Sequence, residues 1–355
     1  MRSRLQQRQY SPACQLAIAA LLVLSFVLPC AHAADAPAPP ADKLPPPPQG
    51  SEFQLFIEND MLAGTDHYYT NGIKFGFGVP FETLRQVFEI PSKFALDLFS
   101  GQDADYHFGL FAGQNIYTPR NITLGSPQPF DRPWAAWLYL GGVAQRVKGN
   151  RLDTGEIDIG FVGPVALGEQ VQSNWHSVIG ALQPQGWGNQ TPGEPGFLMS
   201  YLQKRKYGTR HIEFVPHAGV TFGTVMTLAR VGGIVRLGRN MTGFGPDSIE
   251  PGGAMLQNTR REHEGAGRAP FEWYGFIGAD LRYVARNIFL DGTVFRGGPS
   301  VDSREWVHDF TAGVTARINT YRLSVTRIFR SEEFTTPFSS GGKQSFYSFN
   351  LGLEF

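Results

Sequence analysis

Cysteine is almost absent from this sequence, since Cys14 and Cys30 are the only two among 355 residues. Both lie in an N-terminal segment with a basic start, an apolar run at 16–28 and an Ala-His-Ala site at 31–33. These are the three parts of a signal peptide that is removed on export. We therefore predict a signal peptide at 1–33 and a mature chain in which disulfides and cysteine chemistry are excluded.

Long apolar runs are also missing beyond that segment, and none approaches the roughly 20 residues of a membrane-spanning helix. The chain has 31 basic and 31 acidic residues, so its net charge implies no nucleic-acid partner. Neither the GxSxG motif of serine hydrolases nor the HExxH motif of zinc proteases occurs. These absences remove the two commonest hydrolytic sites and any helical membrane span.

Proline and alanine dominate residues 34–50, which end in four consecutive prolines at 45–48. A segment of this composition has no apolar surface to bury and is typical of an extended linker. We predict a periplasmic linker at 34–50 and a folded part that spans 51–355.

Apolar and polar residues alternate with a period of two through much of 51–355, which indicates strands with one apolar face. The pattern is clearest where Tyr347 and Phe349 alternate with Ser348 and Asn350. We predict an all-β fold of twelve antiparallel strands. They lie near 51–59, 70–80, 105–115, 134–147, 152–162, 196–206, 210–222, 225–238, 271–285, 305–318, 320–331 and 344–355.

A soluble β-sandwich would show the same alternation. Charged residues on the polar face, an export signal and a last strand ending on Phe355 together favour a transmembrane β-barrel of the bacterial outer membrane. An even strand number puts both chain ends in the periplasm and five loops outside the cell. These loops are 60–69, 116–133, 163–195, 286–304 and 332–343. We expect the barrel to be a monomer in this membrane.

A dense group of side-chain oxygens occurs in the first of these loops, between two predicted strands. Its members are Asn59, Asp60, Thr65, Asp66, Thr70 and Asn71. Oxygen-rich loops bind hard cations such as calcium. Asn and Asp are also the ordinary residues of tight turns, so the spacing alone leaves both interpretations open.

A short helix is predicted within 163–182, because Gly163 precedes a proline at its start and Gly180 stands near its end. Gln172 and His176 are four residues apart and share one face of this helix. His176 is either a catalytic group beside the oxygen-rich loop or an ordinary surface histidine. A second face is apolar and is expected to pack on the barrel wall. It carries Val171, Trp175 and Ile179.

Seven segments of the chain carry a family resemblance. They are END (58–60), TDHYYTNG (65–72), GQNIYTP (113–119), DRPWAAWLYLG (131–141), GPVALGEQVQSNWH (163–176), GWGNQ (186–190) and YVARNIFLDG (283–292). In sequence and in order they resemble the lipid A 3′-O-deacylase family, LpxR. The first pair and the GPVALGEQVQSNWH segment are distinctive singly, and together the segments cover nearly the whole mature chain.

The resemblance implies a twelve-stranded outer-membrane barrel with a short helix in an extracellular loop. Members of the family hydrolyse the ester that holds the 3′-acyloxyacyl group on the lipid A of lipopolysaccharide, and they need Ca²⁺. Carried over by position, His176 corresponds to the general base, and Asp60 to a residue that orients this histidine or helps the metal. Gln172 corresponds to a substrate-positioning or oxyanion group, and Asn59 and Thr70 to metal-site residues.

The chain departs from the family pattern at one position. A glutamate follows the histidine by six residues in a member of the family, whereas Leu182 stands there in this chain. The candidates that could complete the calcium site are then Glu194, Glu58, backbone carbonyls or water.

Three further residues are candidate substrate contacts. Gln114 ends the third predicted strand, and Arg120 and Arg132 follow it in an external loop, where they suit a lipid A phosphate. Two other functions stay open: a passive barrel that serves as a pore or structural protein, and an outer-membrane phospholipase that uses the same histidine and calcium. The H-x-S-N-G motif of outer-membrane phospholipase A does not occur.

Overall fold

The computed structural model describes residues 50–81, 83–84, 104–250, 256, 270–337 and 342–354. Within them, thirteen strand segments form one antiparallel sheet that closes through the pairing of β6 with β8. The strands are β1 (Glu52–Asn59), β2 (Tyr68–Pro80), β3 (Asp105–Thr118), β4 (Ala135–Lys148), β5 (Arg151–Val162), β6 (Glu194–Arg205), β7 (Tyr207–Gly208), β8 (Ile212–Gly223), β9 (Met226–Arg239), β10 (Phe271–Asn287), β11 (Trp306–Ile318), β12 (Tyr321–Arg330) and β13 (Gln344–Glu354).

The barrel wall has twelve strands, because β7 is two residues long and continues β6 along the same edge of β8. This confirms the predicted all-β fold and strand number, and the predicted bounds differ from the observed ones by a few residues. Three predicted parts lie outside the described residues: the signal peptide, the linker apart from Gly50, and Phe355. The same holds for most of the short amphipathic connection that the sequence predicts at 81–98, between the second and third strands.

Side chains alternate between the lumen and the outside of the barrel. In β3, Phe111 and Asn115 point inward and are buried, whereas Leu110, which directly precedes Phe111, is 75% exposed on the outer face. The outer face of β5 is apolar over the half of the strand next to its C-terminal end, where it carries Ile157, Ile159 and Phe161. An apolar exterior around a polar interior is the pattern of a barrel that spans a membrane. Among the described residues, no helix has the length and apolar character needed to cross a bilayer.

The five predicted external loops all leave the barrel at one end, which we call the loop rim, and the opposite end is the turn rim. The loop rim holds the connections 60–67, 119–134, 163–193, 288–305 and 331–343, together with the short turn 224–225. The turn rim holds the tight turns 149–150 and 319–320. The alternation of strand direction therefore groups the loops as the sequence predicted.

The connection that follows β9 folds back from the turn rim into the lumen. Asp247 accepts a hydrogen bond from the Lys204 ammonium at 2.6 Å, and Ile249 packs in the main apolar core of the barrel. The backbone N–H of Ile249 donates to Glu58 of β1 at 3.1 Å. At the loop rim, Phe289 of a short helix stacks on Tyr117 with ring centroids 4.2 Å apart. The described part of the lumen is thus packed with protein.

Candidate functional site

The loop between β5 and β6 packs on the outside of the barrel wall. After a turn of 3-10 helix (Pro164–Ala166) it forms helix α1 (Gly168–Ile179). Ile116 of β3 and Ala136 of β4 occupy outward-facing positions, and they are buried because Ala166 and Trp187 of this loop cover them. A Cβ atom on Gly168 would lie 2.6 Å from the Ala136 Cβ and 2.6 Å from the Trp187 ring. Glycine therefore lets α1 approach the wall closely.

The buried face of α1 carries Gly168, Gln172 and His176, at intervals of four residues. The shared face of Gln172 and His176 was predicted, but the prediction that an apolar face packs on the wall is wrong. Val171 is 41% exposed, and Trp175 and Ile179 are only partly buried. The cause is local, because Trp187 and Leu182 of the same loop are polar partners for Gln172 and His176, and the closest approach to the wall requires the missing side chain of Gly168.

His176 is held in one orientation by two neighbours, and only 1% of it is exposed. Its Nδ1 atom lies 2.5 Å from the carbonyl oxygen of Leu182. A carbonyl oxygen only accepts hydrogen bonds, so Nδ1 carries the proton and the lone pair of the neutral ring is on Nε2. This Nε2 atom faces Asp66, whose Oδ2 atom is 3.7 Å away. That separation is too long for a direct hydrogen bond, and one water molecule could bond to both atoms.

Asp60, which is buried, and Asp66, which has 24% of its side chain exposed, lie together in the loop between β1 and β2. One oxygen of Asp60 accepts hydrogen bonds from the backbone N–H of His67 at 2.7 Å and from the Thr65 hydroxyl at 3.1 Å. The Oδ1 atoms of both carboxylates are buried and have no hydrogen-bond partner among the described residues. Burial raises the pKa of Asp60 well above its ordinary value, and the charge of Asp66 adds to this effect.

The pKa of Asp66 is raised by burial as well, while the neighbouring His176 acts in the opposite direction. The charge of Asp66 disfavours that of Asp60, and each carboxylate has a buried oxygen that lacks a donor among the described residues, so the pair is suited to a cation. Within the described residues, no group of three or more His, Cys, Asp and Glu side chains is placed so that these side chains alone could hold a metal ion. A cation here would need neutral oxygens in addition to the two aspartates, which fits calcium better than zinc.

The two other predicted metal-site residues of this loop end supply such neutral oxygens. The Asn59 side-chain oxygen accepts the backbone N–H of Met61 at 2.9 Å, and the Thr70 hydroxyl is 2.7 Å from that of Thr118. Both bonds leave lone pairs on the oxygens, and both side chains lie at strand ends that border Asp60.

Gln172 and Gln114 are fixed through one end of their amides. The Gln172 oxygen accepts a hydrogen bond from the Trp187 indole at 2.9 Å, while its buried NH₂ group has no partner among the described residues. Gln114 faces outward from β3 and donates to the carbonyl oxygen of Ala166 at 2.6 Å. Gln172 thus offers a free donor to the site, and Gln114 ties the loop insertion to the wall.

Glu194 accepts hydrogen bonds from the connection that follows β10. Its carboxylate oxygens accept the backbone N–H groups of Val294 at 2.8 Å and Phe295 at 3.1 Å. Glu58 is likewise occupied, because its oxygens accept from the Tyr69 hydroxyl at 2.8 Å and from the backbone N–H of Ile249, in the connection that follows β9, at 3.1 Å. In this geometry both glutamates hold loops in place.

The two candidate phosphate contacts have different surroundings. Arg132 is fully buried, donates to Glu333 at 2.7 Å and lies over the Tyr117 ring at 4.5 Å. Arg120 is exposed, and its charge, together with the larger effect of burial, lowers the pKa of His67 to about 4. Arg120 is therefore the arginine at the mouth of the site, and Arg132 belongs to the packing beneath it.

Comparison with known proteins decides the family. A sequence model described as "Outer membrane protein LpxR" matches residues 16–355. The chain belongs to the LpxR family of outer-membrane proteins. The solved structure of LpxR from Salmonella typhimurium is 20% identical, covers 86% of this chain and 100% of its own, and superposes with a TM-score of 0.68. The β domain of the Bordetella autotransporter BrkA is 13% identical, with coverages of 86% and 98% and a TM-score of 0.41. A comparison with curated proteins gives no match.

In this LpxR-family chain, the structure adds three groups that the sequence reasoning did not select. Asp66 was part of the oxygen-rich loop but not of the predicted site, and it proves to be the carboxylate nearest His176. The Leu182 carbonyl and the Trp187 indole fix the side chains of His176 and Gln172, respectively. The TDH segment at 65–67 carried a signal for Asp66, whereas a backbone carbonyl leaves none in the sequence.

Proposed function

We propose that this protein is a calcium-dependent esterase that removes the 3′-acyloxyacyl group from lipid A in the outer leaflet, with its site facing the cell exterior. One observation carries the proposal. His176 Nε2 faces Asp66 across 3.7 Å, and Asp66 and the neighbouring Asp60 each have a buried oxygen with no partner among the described residues. This group lies on the outside of the barrel wall, beside the apolar surface that faces lipid.

The position of Gln114 supports a lipid substrate. This residue ends the apolar outer surface of β3, and its partners in the neighbouring strands are Ile73 and Leu138. Both partners point outward and are 38% and 37% exposed. The site therefore adjoins the apolar outer surface of the barrel, as hydrolysis of an acyl ester at the membrane boundary requires.

The residues of the site are arranged for attack by water on the ester carbonyl. His176 Nε2 takes a proton from the water while the water oxygen bonds to the carbonyl carbon. The Leu182 carbonyl holds the Nδ1 proton and stabilises the imidazolium that forms, and Asp66 faces the same nitrogen. The proton then passes from Nε2 to the departing sugar oxygen. The products are a free sugar hydroxyl and the released acyloxyacyl acid, so atoms and charge balance.

The groups that would hold calcium are the free Oδ1 atoms of Asp60 and Asp66, with neutral oxygen from Asn59 and Thr70. When bound, a divalent ion supplies Lewis-acid stabilisation of the negative charge that develops on the carbonyl oxygen. The free NH₂ of Gln172 is a second candidate donor to that oxygen. Arg120 at the mouth is suited to a lipid A phosphate.

The proposal is tested by mass spectrometry of lipid A from cells that express the wild type, His176→Ala or the surface control Asn174→Ala. We expect the wild type and the control to remove one acyloxyacyl group with calcium present and none with a chelator. Intact lipid A from wild-type cells with calcium would refute the proposed function. Full activity of His176→Ala would refute only the role of the histidine.

Two further measurements separate the alternatives. Release of fatty acid from phospholipid vesicles that lack lipid A would assign the site to a phospholipase. A passive pore predicts steady ion conductance in planar bilayers, which the packed lumen disfavours.

A further inference from the structure

Helix α1 and its ends present an apolar stripe that the barrel does not cover. Its members are Leu167, Val171, Trp175, Val178 and Leu182, which we call the α1 stripe. Successive members are four, four, three and four residues apart, and within the helix this spacing puts Val171, Trp175 and Val178 on one side. Val178 is 77% exposed and Leu182 is 59% exposed.

The α1 stripe is distinct from the other two faces of the helix. The face against the barrel carries Gly168, Gln172 and His176. The remaining exposed face is polar and carries Glu169, Gln170, Asn174 and Ser177. A helix in water would bury its apolar face on the protein and expose only polar groups. A helix with one polar and one apolar exposed face, both free of the protein, matches an interfacial helix that lies at a membrane surface.

The stripe is continuous with the lipid-facing wall. Along the chain from β5, the exposed residues that lead to α1 are all apolar: Phe161, Pro164, Val165 and Leu167. The outward wall residue below them is Ile159, which is 62% exposed. Because α1 packs on the outer face of β3 and β4 rather than over the lumen, its stripe adjoins the space that hydrocarbon occupies around the barrel.

We infer that α1 is an interfacial helix whose stripe lies in the acyl chains of the surrounding leaflet. The stripe then fixes the height of His176 at the boundary between hydrocarbon and headgroups, and substrate enters sideways from the leaflet. The placement in the membrane stands on the structure alone, whereas its consequence for catalysis rests on the proposed function.

Depth in the bilayer is measured with single-cysteine variants that carry a small fluorophore, in vesicles whose phospholipids are brominated on their acyl chains. Both native cysteines lie in the predicted signal peptide, so the label is specific in the mature chain. We expect strong quenching at Val178→Cys, comparable to Ile159→Cys on the wall, and weak quenching at Asn174→Cys on the polar face. Equal quenching at 178 and 174 would overturn the inference.

A second copy of the chain is the other partner that could cover the stripe. Pyrene attached at position 178 would then give excimer emission and be shielded from brominated chains, which would also overturn the inference. We expect monomer emission only.

The catalytic consequence is tested with Val178→Asp and the matched control Asn174→Asp. On lipid A in vesicles we expect a loss of at least tenfold in rate for the first and none for the second, while both hydrolyse a short water-soluble ester at the wild-type rate. If the wild-type protein hydrolyses neither substrate while position 178 is still quenched, the proposed function is refuted and the membrane placement of α1 is kept. Equal vesicle rates for Val178→Asp and the control would overturn the role of the stripe.

Discussion

His176 donates its Nδ1 proton to the carbonyl oxygen of Leu182 across 2.5 Å. Residue 182 is a glutamate in a member of the family, and in this chain Leu182 contacts His176 through its backbone carbonyl. The Leu182 side chain is exposed. The departure from the family pattern removes a carboxylate but keeps the histidine in the tautomer that a general base needs. A degenerate site would be expected to lose that orientation.

The first prediction concerns this base. His176→Gln keeps a polar side chain of similar length but cannot take up the proton, so we expect the deacylation rate to fall by about 10²–10⁴-fold. Ser177→Ala on the exposed face is the matched control, and its rate should equal that of the wild type. The fold of each variant is checked by its resistance to unfolding in unheated detergent gels. A correctly folded His176→Gln with wild-type rate would contradict the prediction.

The second prediction separates Asp66 from an ordinary loop residue. Asp66→Asn removes one of the two neighbouring carboxylates that have a buried oxygen without a partner among the described residues, so the calcium concentration for half-maximal activity should rise at least about tenfold. Glu169→Gln removes an exposed charge from the first turn of α1 and should leave the calcium requirement unchanged. The measurement is a calcium titration of activity on lipid A vesicles. Equal requirements in both variants would remove Asp66 from the metal site.

The third prediction is a pH dependence of calcium binding. Because the pKa values of Asp60 and Asp66 are raised in the metal-free protein, both carboxylates bind protons as the pH falls, and protons then compete with calcium. Their protonation stabilises the metal-free protein below the unfolded-state pKa, and that contribution is lost as the pH rises through the raised values. The increase in melting temperature caused by calcium should therefore be larger at about pH 8 than at about pH 5. An equal increase at both pH values would contradict it.

Much of the architecture could be predicted, because a strand has a period of two and each strand of this barrel is bounded by a turn or a loop. Gly180, with a φ of +66°, also marked the end of α1, whereas Gly163, with a φ of +88°, marked the 3-10 turn that precedes the helix. Which side of α1 meets the barrel could not be predicted, because periodicity shows which residues share a face and not what that face contacts. The rule that apolar residues point to the protein does not hold beside a membrane.

The composition of the site was predictable only in part, because several partners come from distant parts of the chain. Arg132 suited a phosphate as an isolated loop residue, yet Glu333 pairs with it in the packed rim. The resemblance selected Asp60 and not Asp66, and only the placement of α1 makes Asp66 the neighbour of His176.

The fourth prediction tests how Gln172 is oriented. Trp187→Phe removes the indole N–H that holds the Gln172 oxygen, so the amide can rotate and about 1 kcal/mol of unfolding free energy is lost. The matched control is Trp134→Phe, since Trp134 packs on Trp187 with ring centroids 5.0 Å apart and its indole N–H has no partner among the described residues. We expect kcat/KM to fall about fivefold more in Trp187→Phe than in the control. Equal falls would show that only ring packing matters.

The fifth prediction decides between two roles for Glu194. In the structure its two oxygens hold the backbone N–H groups of Val294 and Phe295, so Glu194→Gln replaces one acceptor by a donor and should cost about 1–3 kcal/mol of stability. We expect limited proteolysis to cleave the connection 288–305 faster in this variant, while the calcium requirement of deacylation stays at the wild-type value. Asp66→Asn is the comparison and should show the opposite pair of results. A raised calcium requirement with unchanged proteolysis in Glu194→Gln would instead make Glu194 a calcium ligand, as its position in the sequence had suggested.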